Sequence, residues 1–98
     1  MSKNDAALAL QELRNQIDQI DNQIAEALNK RAAIVEEVWT LKQQNQFPFI
    51  DQGRENAIFA RVRSLAKEPL MADSMQNIFQ CILNEVRPRI KSAKAKSG

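Results

Sequence analysis

Apolar residues recur along the first half of the chain at Leu10, Leu13, Ile17, Ile20, Ile24, Ala27, Ile34, Val38 and Leu41. Apart from one gap, the steps alternate three and four residues, which is a heptad seam on a helix. The predicted helix runs from about Ala6 to Gln44 and holds neither Gly nor Pro. Ser2 or Asn4 is placed to cap it, with Asp5 near its positive N-terminal end. Pro48, in the segment Asn45–Ile50, cannot continue the helix and disfavours helical geometry at Phe47. Asp51 is then the expected N-cap of a second helix, about Gln52 to Lys67, striped by Ala57, Ile58, Val62 and Leu65. Glu68-Pro69 interrupts the pattern, and Asp73 or Ser74 opens a third helix. That helix carries Met75, Ile78, Phe79, Ile82, Leu83 and Val86 at helical spacing, and Pro88 is expected to kink or end it, with resumption from Arg89–Ile90 left open.

The fold class is therefore all-α, with three helices, the first very long. The 98 residues make one domain, with a core over about residues 8–90 and a flexible basic tail at 91–98. A first helix of that length would extend about 58 Å, too far for the remaining residues to cover. The seam then reads in two ways, as the core face of a bundle helix or as an inter-chain seam against a second copy.

One position breaks the seam. Arg31 stands where an apolar residue is due, and a buried guanidinium is costly unless an anion meets it. Lys42 follows eleven residues later, within about 20° on the same helix face and about 16 Å along the axis. Both side chains can converge on a ligand with two separated anionic groups, Arg as the bidentate carboxylate clamp and Lys as the point charge. A structural pair for Arg31 with a seam acid, and a solvated helix-end role for Lys42, remain open. Arg14 lies about 25 Å from Arg31 along the rod, so it could join the same site only from a partner chain. By itself, with Glu12 and Asp18 nearby, it reads as a surface ion pair. Asp51 and Glu55 flank Arg54 within one helical turn. Asp51 has a sufficient role as a cap. Glu55 has none of that kind, and the two carboxylates could accept from a ligand hydroxyl or amine.

Composition narrows the chemistry. There is no His, a single cysteine (Cys81, within an apolar run and read as a small buried hydrophobe), and a net charge of +2. No Ser-His-Asp or Cys-His system, glycine-rich phosphate loop or metal motif is present, so no cofactor and no metal is expected. No apolar run spans a membrane, and the N-terminal segment lacks signal-peptide order, so a cytoplasmic protein is expected. Arg87, Arg89, Lys91, Lys94 and Lys96 form a basic end without interleaved aromatics, which argues against nucleic acid.

Taken together, LRNQIDQID, Lys30-Arg31, VWTLK, the block from Pro48 to Glu55 and IFQCIL resemble the all-α type II chorismate mutase family over residues 8 to 86. The spacing of Arg14, Arg31, Lys42, Asp51, Arg54 and Glu55 as a set carries the resemblance. It implies an intertwined homodimer with two equivalent sites and the Claisen rearrangement of chorismate to prephenate. By similarity, Arg31 would hold one carboxylate and Arg14 of the partner chain the other. Lys42 would serve a carboxylate and the ether oxygen, Asp51 and Glu55 would receive the ring hydroxyl, and Arg54 would support the site. On the third helix the family's polar pair falls at Val86 and Ile90, both apolar here. Loss of one donor aimed at transition-state charge costs about 2.7–4 kcal/mol. A slow mutase, recruitment of Arg87 or Arg89, a helix re-aimed at Pro88 and a completing partner protein all remain open. So do a mutase acting on 4-amino-4-deoxychorismate, an isochorismate-pyruvate lyase, and a non-catalytic helical dimerisation module.

Overall fold

A computed structural model describes the backbone of residues 2–97 and the side chains of residues 2–87. It contains three α-helices, α1 (Lys3–Asn45), α2 (Gln52–Leu65) and α3 (Ala72–Ser97), and no strand among the described residues. The chain divides into two compact units, Met1–Val35 and Glu36–Gly98.

The first unit is the larger part of α1. Ser2 caps it, its Oγ accepting the Asp5 N–H at 3.1 Å and its carbonyl the Ala6 N–H at 2.9 Å. A Gln11–Asn15 side-chain bond at 3.0 Å joins residues one turn apart. The seam residues Leu10, Leu13, Ile17, Ile20 and Ile24 are all exposed in the single chain.

In the second unit, the end of α1 passes into the loop through a left-handed residue. Gln46 has φ 58° and the Phe47 N–H donates to the Lys42 carbonyl at 2.9 Å, the six-to-one bond of a Schellman cap. Asp51 caps α2 as expected: its backbone is extended and its Oδ1 accepts the Arg54 N–H at 3.0 Å. The helix ends at Leu65, with the Ala66 N–H turned back to the Arg63 carbonyl.

α2 packs against α3. Arg63 near the end of α2 binds Asp73 at 2.7 Å and Gln76 at 2.9 Å near the start of α3, while Glu55 near the start of α2 binds Arg87 far along α3. The two helices are thus antiparallel, tied near both ends of α2. The core of this unit is Trp39, Ile58 and Val62.

Two expectations are revised, and the alternatives at Pro88 are narrowed. α3 begins at Ala72, not at Asp73 or Ser74, and the Met75 N–H donates to the Met71 carbonyl. Asp73 sits in the first turn, where the helix dipole favours it and Arg63 reaches it. The helix also continues past Pro88 to Ser97. A proline removes one backbone donor, and the Lys- and Ala-rich sequence beyond it has good helix propensity. Cys81 is exposed, because it shares a face of α3 with Ser74, Asn77, Ile78 and Glu85, all exposed, rather than the face that meets α2.

Candidate active site

The candidate site residues singled out by the sequence fall in both units. Arg14 and Arg31 belong to the first, both on α1; Arg14 is exposed and Arg31 half-buried. Lys42, Asp51, Arg54, Glu55 and Val86 belong to the second. Ile90 and Arg89 lie outside the described side chains.

Lys42 is half-buried, and its Nζ donates to the Phe49 carbonyl at 3.0 Å. Its own carbonyl accepts the Phe47 N–H, so this one residue binds the loop with both its backbone and its side chain. Phe49 is held from the other direction: its ring stacks on Trp39 with centroids 4.8 Å apart and planes inclined by 16°. Trp39 precedes Lys42 by three residues on α1, so the two lie on one face of the helix. The aromatic stack therefore fixes the carbonyl that orients the ammonium.

Asp51 and Arg54 come together through the cap, since the Asp51 carboxylate accepts from the Arg54 backbone. Both side chains are exposed. Gly53 lies between them, and a Cβ there would stand 3.4 Å from Asp51 Oδ1, ordinary contact that the cap could absorb.

Glu55 is engaged elsewhere. Its Oε2 accepts from Arg87 Nη2 at 2.7 Å, with the Glu55 side chain 16% exposed and that of Arg87 26%. Sequence reasoning placed Arg87 in the basic end and named it as one means of compensating for the apolar Val86 and Ile90, and had no pairing for it. The two residues are 32 apart in the chain, and no local pattern marks such a pair. Val86, next to Arg87, is half-buried.

Among the described residues, no group of three or more His, Cys, Asp or Glu side chains could hold a metal ion. No helix of these residues is long and apolar enough to cross a membrane. The chemistry on offer is cationic and hydrogen-bonding: an oriented ammonium, guanidinium groups and two carboxylates at the start of α2.

Comparison with known proteins gives this helical, cation-rich domain its class. The profile of the chorismate mutase type II family matches residues 13–90. The chorismate mutase of Methanocaldococcus jannaschii is 35% identical over 75 residues, covering 76% of this chain and 76% of that protein. The bifunctional chorismate mutase/prephenate dehydratase of Aquifex aeolicus is 37% identical over 59 residues, which is 60% of this chain and 16% of that longer enzyme. No solved structure gives a significant match. The chain belongs to the chorismate mutase type II family, a family of isomerases.

Proposed function

We propose that this domain catalyses the Claisen rearrangement of chorismate to prephenate as an intertwined homodimer. The observation that carries the reading is the co-occurrence of Arg14, Arg31, Lys42, Asp51, Arg54 and Glu55, all within the span that matches the family. The reaction breaks the ether C–O bond as a new C–C bond forms, with no proton transferred and no covalent intermediate. It asks the protein to hold a flexible dicarboxylate in its reactive diaxial shape and to place positive charge where the ether oxygen gains electron density.

In this reading Arg31 clamps one carboxylate and the partner chain's copy of Arg14 the other. Lys42 serves a carboxylate and the ether oxygen, and the hydrogen bond from its Nζ to the Phe49 carbonyl supports a pre-oriented ammonium. Asp51 and Glu55 receive the ring hydroxyl, Arg54 supports them, and the half-buried Val86 contributes from α3. The full chain acts as one functional domain. The dimer is supported by the exposed seam: Leu13, Ile17, Ile20 and Ile24 are each more than half exposed in the single chain, and a contiguous apolar stripe of that kind is the mark of an interaction surface.

The test follows chorismate, isochorismate and 4-amino-4-deoxychorismate separately with purified protein. Prephenate from chorismate is the expected result. Salicylate and pyruvate from isochorismate would point to the lyase. Turnover of none of the three would leave the domain as a helical dimerisation module.

A further inference from the structure

The half-buried ion pair between Glu55 and Arg87 changes what the carboxylate at the start of α2 can bind. With 16% and 26% of their side chains exposed, the two groups meet at 2.7 Å in surroundings that water screens poorly. Glu55 alone would attract a cation. Glu55 beside a guanidinium is neutral overall. A carboxylate offers about four lone-pair directions, so the bond from Arg87 leaves it capacity to accept from a neutral hydroxyl.

An ammonium makes a different demand. It must recover its lost hydration from net negative charge, and here it would approach the guanidinium already held by Glu55. Asp51 does not make up the deficit. It is exposed, its Oδ1 is engaged with the Arg54 N–H, and Arg54 adds a positive charge in the same turn. Asp51, Arg54, Glu55 and Arg87 together carry no net charge.

We infer that Arg87 is a specificity-determining residue: by neutralising Glu55, it makes this end of the site take a dicarboxylate whose ring bears a hydroxyl and turn away the near-isosteric one bearing an ammonium. The inference rests on the reading above, in which Glu55 faces that ring substituent. Arg87 acts through Glu55 and does not need to touch the substrate.

The experiment measures kcat/KM for chorismate and for 4-amino-4-deoxychorismate side by side on the full chain. It compares wild type with Arg87→Gln, Arg87→Met and Arg87→Lys. Glutamine keeps an N–H donor for Glu55 without the charge, and lysine keeps the charge. The wild type is expected to prefer chorismate. The ratio of amino to hydroxyl substrate rises by about tenfold or more in the Gln and Met variants, and stays near the wild-type value in the Lys variant. A pair that serves only to hold α2 to α3 would lower both substrates together and leave the ratio where it was. An unmoved ratio in an uncharged variant of wild-type helicity overturns the inference, and so does a wild type that prefers the amino compound. Turnover of neither compound by the wild type overturns the chorismate reading itself, and the inference with it, so the two failures are told apart.

Discussion

The Trp39 indole and the Phe49 ring lie stacked, 4.8 Å between centroids, and the carbonyl of the same Phe49 accepts the Lys42 ammonium at 3.0 Å. One loop residue thereby connects the core of the second unit to the cation proposed to face the substrate. The connection predicts that damage to an aromatic contact appears as lost catalysis.

Phe49→Ala removes the stack and loosens the loop carbonyl. It should cost about 1–3 kcal/mol of stability and lower kcat by more than the fraction unfolded explains. Urea unfolding followed by Trp39 emission measures the first part, since Trp39 is the single tryptophan of the chain. A red shift of that emission in the folded variant is expected, because Trp39 is buried in the native protein.

Gln46 closes α1 in the left-handed region at φ 58°, where a side chain is strained and glycine is not. Gln46→Gly should stabilise the domain by about 0.5–1 kcal/mol, while Gln46→Val should destabilise it by more than that. Thermal melts of the two variants test the pair of signs. Catalysis should be unchanged in the glycine variant, whose cap keeps the Phe47 N–H on the Lys42 carbonyl.

The two cross-links between α2 and α3 should differ in strength. Double-mutant cycles to alanine are expected to give a coupling of about 1–3 kcal/mol for Glu55–Arg87, a charge-assisted bond that is mostly sheltered. For Arg63–Asp73, with side chains 41% and 85% exposed, the coupling should be at most about 1 kcal/mol. Raising the salt concentration should weaken the second more than the first.

If each site takes Arg31 from one chain and Arg14 from the other, two inactive variants can rescue each other. Arg14→Ala and Arg31→Ala proteins, mixed after partial unfolding, should form hybrids that regain activity at the one site with both arginines intact. Verified hybrids that stay inactive would count against a shared site.

Much of the architecture was legible because it is local. The three-and-four spacing from Leu10 to Leu41 marks α1, Pro48 marks its end, and the Asp51 cap with the stripe through Ile58 and Val62 marks α2. These signals come from backbone periodicity and hydrogen-bonding groups within a few residues of one another. The family-bearing charges were legible as a spaced set. What the sequence did not convey is long-range. Nothing near Glu55 indicates that a guanidinium 32 residues on will hold it, and nothing near Lys42 indicates that a loop carbonyl will accept its ammonium. Cys81 was misjudged for a related reason: an apolar run on a helix turns some of its members outward, and only the position of the neighbouring helix decides which.

The central claim is that this domain turns chorismate into prephenate, and real-time proton NMR of chorismate with the purified protein tests it most directly. The account predicts that prephenate signals grow as chorismate signals fall, faster than in the protein-free control, and that Arg31→Ala abolishes the difference while remaining helical. Chorismate that decays only at the protein-free rate, at high protein concentration, would contradict it.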